Sequence, residues 1–324
     1  MTQAAAEARR VYVTGGTGFL GSSVVAGLAA QLGSGVDVVV SGDLRDPRKP
    51  IDGVVYEKAD VTQANDLLEQ FLRHKINTVV HLAAIVNPGR DLSREDEYRV
   101  DVEGSRNVLD ACHATGVRRI VVSSSGAAYG YHADNPAWLV ETNAIRGNES
   151  FSYSHHKRLV ELMLEEARVW HPELEQVVFR ISTILGETVD NQVTALFQKK
   201  RLLRVAGSAS PFVFAWDQDV VAAMVRAATD GPPGIFNLTG DGALTVRELA
   251  RIMGKKTMTV PPWMLKFGLW AGRVVGATAH GPEQAKFLQF RPVLLNTKLK
   301  EEFGYTPKYT TRQAFEAWLA SHPQ

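Results

Sequence analysis

Cysteine and net charge are both nearly absent from this sequence. Cys112 is the only cysteine in 324 residues. A single cysteine excludes an internal disulfide and a cysteine-ligated zinc site, and it fits a reducing, cytoplasmic setting. The 36 Lys and Arg residues are balanced by 35 Asp and Glu residues, which leaves a net charge of +1. Such a balance favours neither nucleic acid nor an anionic membrane as a partner.

Long apolar runs are lacking as well. The first ten residues, "MTQAAAEARR", lack the apolar core of a signal peptide. The most apolar late stretch, residues 261–279, contains Lys266 and Arg273 and is therefore a poor membrane span. We expect an amphipathic helix there that rests on a core, on a bilayer surface or over an apolar ligand. The histidines show no metal-ligand spacing, so we expect no metal.

The first half of the chain alternates short Val/Ile-rich runs with longer segments that have apolar residues at helical spacing. Near-continuous apolar strands joined by helices indicate a parallel sheet that is covered on both faces. We therefore expect a doubly wound α/β fold. The expected strands are residues 10–15, 36–43, 53–60, 77–84, 118–126 and 175–182, and the expected helices are residues 19–32, 64–75, 95–116 and 154–170.

The regular alternation ends near residue 185. We expect residues 1–185 to form a dinucleotide-binding domain and residues 186–324 to form mostly a smaller, mixed α/β substrate-binding lobe. Segments around 211–240 should return to the first domain. The lobe should cover the carboxyl ends of the parallel strands, where such folds bind their ligands.

Three glycines, Gly15, Gly18 and Gly21, lie between the first expected strand and its helix. Glycines at such a junction allow a tight turn, bring backbone N–H groups close to a pyrophosphate and let the helix pack on the strand. The spacing is G-x-x-G-x-x-G rather than G-x-G-x-x-G, so a purely structural turn is the alternative. The position of the turn at the first strand–helix junction favours dinucleotide binding.

The end of the second expected strand indicates which dinucleotide is bound. Asp43 stands there, where a carboxylate accepts hydrogen bonds from the ribose hydroxyls and repels a 2′-phosphate. This favours NAD over NADP, although Arg45 and Arg48 lie close enough in sequence to pair with such a phosphate.

Further candidate cofactor contacts stand at the ends of the third and fourth strands. Asp60 can accept a hydrogen bond from the adenine amino group, and the small Ala83 and Ala84 let a cofactor lie against the backbone. The predicted cofactor residues are Gly15, Thr17, Gly18, Phe19, Leu20, Asp43, Asp60, Val61, Leu82, Ala83, Ala84, Ser123, Tyr153, Lys157 and Arg180.

These residues, together with several longer motifs, resemble the extended short-chain dehydrogenase/reductase superfamily, often labelled NAD-dependent epimerase/dehydratase. The matching motifs are "TGGTGFLG" (14–21), "HLAA" (81–84), "VEGSRNVLDAC" (102–112), "SSSGAAYG" (123–130) and "NTKLKEEFGYTPKY" (296–309). The resemblance covers nearly the whole chain and implies a Rossmann fold, NAD as cofactor and, often, a homodimer formed through helices here at 94–115 and 152–170. It leaves the substrate open, because this fold hosts epimerases, dehydratases, reductases and dehydrogenases.

The resemblance also implies a catalytic set of Ser125, Tyr153 and Lys157. Ser125 lies four residues before Tyr129, and Lys157 lies four residues after Tyr153, one helical turn on. A lysine ammonium at that distance stabilises a phenolate, so Tyr153 would exchange a proton with the reacting oxygen, to which Ser125 would hydrogen-bond. A hydride would move to or from the nicotinamide. Tyr129 is expected to form a wall of the site.

Near this set, Asp101 departs from the family pattern, and two histidines inside the Tyr153–Lys157 motif have no expected catalytic role. Asp101 stands where relatives usually have Asn, and its carboxylate could hydrogen-bond a neighbouring backbone group or relay a proton. His155 and His156 lie inside the Tyr153–Lys157 motif, and we expect both to be solvated helix residues.

The stretch "FVFAWDQDV" (212–220) suggests a less polar substrate. Nucleotide-sugar members read R-D-F/Y-V-H-V-x-D there, so Phe212 replaces the phosphate-gripping Arg, and Trp216 replaces the His. An apolar wall offers a diphosphate no charge-assisted partner, although Arg291, Arg201 or Arg204 could still act as a clamp. The predicted substrate-side residues are Val86, Asn87, Asn191, Phe212, Trp216 and Arg291.

Three functions remain open from the sequence, and the sequence favours the first. The first is an NAD(H)-dependent oxidoreductase that acts on a small to medium-sized, partly apolar hydroxy or keto compound. The second is a nucleotide-sugar epimerase or dehydratase that keeps NAD bound and returns the hydride to the same molecule. The third is a non-catalytic dinucleotide-binding protein, which would have no need of Tyr153, Lys157 and Ser125.

Overall fold

The computed structural model describes residues 8–86, 92–274 and 285–322. The strands are β1 (Arg9–Thr14), β2 (Val36–Asp43), β3 (Val54–Lys58), β4 (Thr78–His81), β5 (Arg119–Ser125), β6 (Glu175–Ile181), β7 (Thr183–Leu185), β8 (Arg201–Val205), β9 (Phe214–Trp216), β10 (Gly234–Leu238) and β11 (Lys256–Val260).

The α-helices are α1 (Phe19–Ala29), α2 (Ala64–Arg73), α3 (Arg94–Tyr98), α4 (Gly104–Thr115), α5 (Ser152–Trp170), α6 (Thr194–Phe197), α7 (Asp217–Thr229), α8 (Val246–Ile252), α9 (Pro262–Val274), α10 (Ala285–Gln289), α11 (Thr297–Glu301) and α12 (Thr311–Ser321). None of the helices in these described ranges is both long enough and apolar enough to cross a membrane.

The central sheet has seven strands in the order β10-β6-β5-β4-β1-β2-β3, and every pair in it is parallel. The predicted doubly wound Rossmann fold is therefore confirmed. The direction in which strands are added reverses between β1 and β4. In such sheets the carboxyl ends at this reversal leave a crevice in which ligands bind.

Alternating residues of the central strands feed two apolar cores, one on each face of the sheet. Along β1, Val11 and Val13 join the core beneath α1 and α7, whereas Tyr12 joins the core beneath α2, α4 and α5. Successive strand residues point to opposite faces, so a fully buried sheet needs apolar residues at nearly every position. This is why the strands read as unbroken Val/Ile runs.

The later part of the chain adds strands at two places. β10 extends the edge of the central sheet beside β6, while β7 pairs with β9 and β8 pairs with β11 in two small parallel sheets. A third apolar core joins these segments to α12 through the rings of Phe197, Phe214, Phe315 and Trp318. The proposed division at residue 185 and dimerisation through α4 and α5 stay predictions.

The expected continuous helix over residues 95–116 is interrupted. Ser93 caps α3 by accepting a hydrogen bond from the Asp96 N–H, and a π-helical turn then spans Arg99–Glu103 before α4 begins. Single π-helical turns often accompany functional sites. Asp101, the departure noted above, lies inside this turn.

Candidate active site

The glycine turn after β1 is held against the chain that follows β4. Gly15 has a φ of +66°, which favours glycine, and a Cβ there would lie 2.9 Å from the backbone nitrogen of Ala83. A Cβ on Gly21 would collide with the Gly15 carbonyl oxygen. Only glycine fits these two positions, so the turn brings the start of α1 directly beside the end of β4.

Asp43 lies beside this turn, as a ribose-binding carboxylate should. Its Oδ2 accepts a hydrogen bond from the Thr17 N–H at 3.1 Å. The nearby Arg45 donates its backbone N–H to Oδ1 at 3.1 Å, and its Nε lies 3.7 Å from the same oxygen. Arg45, which could have paired with the 2′-phosphate of NADP, thus lies beside an acid instead.

The surroundings of the turn fit a dinucleotide. The Thr17 Oγ1 is shielded from solvent and has no hydrogen-bond partner among the described residues. The first turn of α1 contains no acidic residue, so the positive end of the helix dipole is open to an anion. Both features suit a bound pyrophosphate.

The other predicted cofactor residues near α1 and β3 differ in accessibility. Phe19, the first residue of α1, is 51% exposed, and Asp60 accepts two hydrogen bonds from Thr62 in the turn after β3. Val61 is buried and packs on Gly104. The cofactor contact of Asp60 therefore stays a prediction, whereas Val61 contributes mainly to packing.

The segment after β4 forms the opposite wall of the crevice. The N–H groups of Leu82 and Ala83 both point to the Thr14 Oγ1, at 3.2 and 3.3 Å. Val86 is 57% exposed, as a ligand-facing residue can be. Asn87, predicted on the substrate side, lies outside the described residues.

The predicted catalytic residues meet at the end of β5. The Lys157 Nζ donates a hydrogen bond to the Ser123 carbonyl at 2.8 Å and lies 5.7 Å from the centre of the Tyr153 ring. Ser125 is the last residue of β5, and its Oγ accepts the Ala127 N–H at 3.1 Å. The structure therefore brings Ser123, Ser125, Tyr153 and Lys157 to one edge of the sheet.

His81, at the end of β4, is a neutral part of this framework. Its Nδ1 shares a hydrogen bond with the Thr14 Oγ1 at 2.7 Å, and its Nε2 shares one with the Ser105 Oγ at 2.9 Å. Burial, together with the charge of Lys157, lowers the pKa of His81 to about 3. A neutral imidazole therefore joins β1, β4 and α4 throughout the physiological pH range.

We expect this histidine to make the fold acid-sensitive. Below its ordinary pKa near 6.5 the unfolded chain takes up a proton that the folded chain refuses until about pH 3, so stability falls as the pH falls through this window. At pH 5 the loss from this one group is about 2 kcal/mol. Urea denaturation of wild type and His81→Gln between pH 7 and pH 5 measures it. Equal slopes of unfolding free energy against pH in the two proteins would show that His81 does not contribute.

Asp101 and His156 form a buried pair that joins two parts of the site. The Asp101 Oδ1 accepts the Ile85 N–H at 2.8 Å, and its Oδ2 lies 3.0 Å from the His156 Nδ1. The expected hydrogen bond from Asp101 to a neighbouring backbone is thus present. The expectation that His156 is solvated is wrong, because its side chain is 5% exposed. His155 is half-buried, and burial lowers its pKa.

Arg180 does not reach the cofactor crevice, so its predicted role there is wrong. Its guanidinium makes an ion pair with Glu161 at 2.7 Å and donates to the Tyr129 hydroxyl at 2.9 Å, all in the protein interior. Tyr129 is fully buried, burial raises its pKa to about 12, and its hydroxyl is also bonded to Asn237. Tyr129 is therefore part of the core rather than a wall of the site.

Three predicted substrate residues also have structural roles. Trp216 is 3% exposed and stacks on Tyr309, and Phe212 is buried in the same C-terminal core. The Asn191 Oδ1 accepts the N–H groups of Val193 and Thr194 at the start of α6. Trp216 and Asn191 are thus withdrawn as substrate residues, and the apolar cluster no longer argues for an apolar substrate.

Arg291 is a predicted substrate residue with a hydrogen-bond donor that has no partner among the described residues. Its guanidinium lies 3.8 Å from the centre of the Phe212 ring, and its Nη1 donates to the Ser210 carbonyl at 2.9 Å. The same Nη1 also donates to the Ser210 Oγ at 3.0 Å, whereas the Nε is shielded and has no partner among the described residues. Burial lowers the pKa of Arg291 to about 9, so an anion would relieve the cost of this cation.

A short series of aromatic rings leads from Arg291 to Tyr153. Phe287 lies 5.7 Å from the Arg291 guanidinium and 6.1 Å from the ring of Phe151, which is 6.3 Å from the ring of Tyr153. The buried Tyr131 packs on both phenylalanines. These contacts place the Arg291 guanidinium on the same side of the molecule as Tyr153 and Lys157.

A group of possible metal ligands lies elsewhere. His113, His171 and Glu173 bring ligand atoms within 4.8 Å of one another where α4 and α5 end, opposite the glycine turn. The two imidazoles stack with ring centres 3.5 Å apart. This group takes no part in the candidate active site, and the expectation of no metal stays a prediction.

Comparison with known proteins agrees with this geometry. The model of the NAD dependent epimerase/dehydratase family matches residues 11–239, which include the glycine turn, the Tyr153–Lys157 pair and all of the central sheet except the first two residues of β1. The chain belongs to the NAD dependent epimerase/dehydratase family. The resemblance inferred from the motifs is confirmed, and so, at the level of the family, is the predicted dependence on NAD.

Individual relatives of this family member cover the chain to different extents. An uncharacterized protein of Mycobacterium tuberculosis is 26% identical over 317 residues, which are 95% of this chain and 83% of that protein. UDP-glucose 4-epimerase of Azospirillum brasilense is 32% identical over 190 residues, 57% of this chain and 52% of the epimerase.

Solved structures share the fold of the whole chain. The UDP-glucose 4-epimerase of Thermotoga maritima, with UDP-glucose, superposes with a TM-score of 0.72 at 21% identity and covers 96% of this chain and 98% of that one. WbmG of Bordetella bronchiseptica, with NAD and UDP, gives 0.70 at 20% identity, covering 98% and 94%. At these identities the likeness shows the Rossmann fold with its C-terminal part.

Proposed function

We propose that this member of the family is an NAD-dependent nucleotide-sugar epimerase or dehydratase. The observation that carries the proposal is that Lys157, which lies 5.7 Å from the centre of the Tyr153 ring, is bonded to the Ser123 carbonyl two residues before Ser125 ends β5. The glycine turn and Asp43 lie at the same edge of the sheet. Proton-transfer groups thus share an edge with the crevice in which a dinucleotide fits.

The residues of the chain divide the reaction between them. Tyr153 takes the proton of a substrate hydroxyl, and the Lys157 ammonium stabilises the phenolate form that this requires. Ser125 hydrogen-bonds the reacting oxygen and orients it. NAD, when bound there, would supply the hydride acceptor for the carbon that bears this oxygen, and oxidation of that carbon gives a ketone. Asp43 would hold the adenosine ribose, and the N–H groups of the glycine turn would hold the pyrophosphate.

The choice of a nucleotide sugar depends on Arg291. An argument for an apolar substrate came from Phe212 and Trp216, and both side chains are buried in the core. What remains is a guanidinium whose shielded Nε has no partner among the described residues, beside rings that lead to Tyr153. Such a group is suited to a phosphate, and several relatives and neighbours are epimerases that act on UDP-sugars by name.

The cofactor content of the purified protein tests the reaction class. An epimerase that returns the hydride to the same molecule should carry NAD through purification and convert UDP-glucose without added cofactor. Denaturing the protein and measuring the released NAD, followed by product analysis with UDP-glucose, gives the answer. A protein that needs a stoichiometric supply of NAD(H) would be an oxidoreductase instead.

That oxidoreductase, acting on a partly apolar hydroxy or keto compound, is the second candidate. One observation favours it: the rings of Phe151 and Phe287 stand between Tyr153 and Arg291, so the path from the reacting centre is lined by apolar side chains. The two candidates differ in one requirement. A nucleotide sugar needs a cationic partner for its phosphates, whereas a partly apolar hydroxy or keto compound does not.

Replacing Arg291 by glutamine separates the candidates further. We expect Arg291→Gln to weaken UDP binding about 10- to 100-fold, because a charge-assisted hydrogen bond contributes about 1.5–3 kcal/mol. Calorimetric titration with UDP measures this without turnover. Arg312→Gln is the matched control, since the Arg312 side chain pairs with Glu316 at 3.5 Å on α12 and the variant is expected to leave UDP affinity unchanged. Equal UDP affinity in wild type and Arg291→Gln would remove the nucleotide sugar from the proposal.

A further inference from the structure

The helix α9 exposes aromatic side chains without a covering partner in the described chain. Trp263, Phe267 and Trp270 are 68%, 62% and 52% exposed, and Met264 beside them is 46% exposed. At about 100° per residue the three aromatic residues share an arc of about 60° on the helix. Large exposed apolar patches on soluble domains usually mark an interaction surface.

The same region of the sequence has an unusual charge. Residues 191–216 and 249–282 contain nine Lys and Arg residues and no Asp or Glu. The rest of the chain therefore has 27 basic and 35 acidic residues, so the net charge of +1 conceals a basic region in an acidic protein. Overall composition had favoured no anionic partner, and the distribution of charge changes that conclusion.

The fold brings the two acid-free segments together. β8 from the first pairs in parallel with β11 from the second, with Arg201 beside Lys256, and β11 leads through Pro261 into α9. Among the residues of this region whose side chains the structure describes, the exposed basic ones are Lys199, Lys200, Arg201, Arg251, Lys256 and Lys266. On the helix, Lys266 lies about 40° from Trp270, so it flanks the aromatic arc directly.

We propose that the surface formed by α9 and the β8–β11 pair docks on an anionic phospholipid bilayer. Trp and Phe are favoured at the level of the lipid headgroups, where amphipathic helices lie with their apolar face inward. Clustered Lys and Arg supply the attraction to anionic headgroups. A second copy of the chain fits this surface less well, because it would bring two basic regions together.

This docking surface borders the candidate active site. α9 packs on α10, whose Phe287 contacts the Tyr131 ring at 5.2 Å. A docked molecule would therefore hold its substrate lobe at the membrane surface. The inference rests on exposure and charge alone, so it stands whether or not the proposed nucleotide-sugar chemistry is right.

Vesicle flotation of the full chain tests the proposal. Wild type is expected to float with vesicles of phosphatidylcholine and phosphatidylglycerol, to bind phosphatidylcholine alone much more weakly, and to dissociate as salt rises. Lys256→Gln with Lys266→Gln should lower the partition coefficient about 25-fold, since each basic residue near an anionic surface contributes about five-fold. The triple variant Trp263→Ser, Phe267→Ser and Trp270→Ser should abolish flotation.

A matched control is available at the far end of α5. Trp170 is 72% exposed and stands near Glu165 and Glu166, outside the basic region, so Trp170→Ser should leave flotation within two-fold of wild type. Retained NAD binding and an unchanged melting temperature would show that the variants are folded. Failure of wild type to float, equal flotation of the triple variant, or equal binding to uncharged vesicles would each overturn the proposal. The proposal would also be overturned if wild type bound no lipid and instead formed dimers that only the triple variant fails to form.

Discussion

Replacing Tyr153 by phenylalanine is expected to lower turnover by about 10²- to 10⁴-fold, the usual contribution of a positioned proton-transfer group. The Tyr153 phenol, at the start of α5, is the group of the site that can take the substrate proton. Lys157 is already anchored to the Ser123 carbonyl at 2.8 Å. Phenylalanine preserves the ring and its packing on Phe151 and removes only the hydroxyl. NAD binding should therefore persist while conversion of UDP-glucose is lost.

Tyr131→Phe is the matched control for this experiment. Its ring packs on the same Phe151, at 5.8 Å, but burial raises the pKa of its hydroxyl above the usual range, so it is a poor proton acceptor. We expect this variant to keep most of its activity. A Tyr153→Phe protein that turns over as fast as wild type, or a larger loss in Tyr131→Phe, would show that the proton acceptor has been assigned to the wrong residue.

The central sheet and the glycine turn could be predicted because their signals are local. A strand buried on both faces must be apolar at nearly every position, and Gly15 and Gly21 have no room for a Cβ. The same holds for Tyr153 and Lys157, whose helical spacing fixes their relation before any tertiary contact is known. Each of these inferences needs only one element and its neighbours in sequence.

The roles of Arg180 and Tyr129 could not be predicted in the same way. They depend on the buried Glu161 of α5, which pairs with Arg180, and Arg180 in turn donates to the Tyr129 hydroxyl. A basic or phenolic residue looks the same in sequence whether its partner is a cofactor or a buried carboxylate. A signal was nevertheless present. Glu161 stands between Val160 and Met163 on the buried stripe of α5, where a lone acid needs a buried cation.

His156 carried a similar unused signal. It lies four residues before Val160 and seven before Met163, which are both buried, so the helical period places it toward the protein rather than toward water. Its partner could not be named from the sequence, because Asp101 lies on a π-helical turn inside what the pattern predicts to be a regular helix. The interruption turns this carboxylate toward α5.

Removing that carboxylate is expected to cost the protein much of its stability. Asp101→Ala leaves the His156 imidazole and the Ile85 N–H buried without their partner, and breaking a buried pair in this way costs about 3–5 kcal/mol. Urea denaturation at pH 7 measures the change in unfolding free energy. Because Ile85 directly follows the Ala83–Ala84 wall of the crevice, NAD affinity should fall as well.

Asp101→Asn is the informative companion, since it removes the charge and keeps the shape of the side chain. The amide side chain can still accept the Ile85 N–H and still hydrogen-bond the His156 ring, so we expect a loss of about 1 kcal/mol. A double-mutant cycle with His156→Gln should then give a coupling energy above about 1 kcal/mol between the two positions. If Asp101→Ala costs no more than the half kcal/mol or so of an ordinary surface change, the pair does not bind the loop to α5. A coupling near zero would mean that Asp101 supports Ile85 alone and that His156 does not stabilise the carboxylate of Asp101.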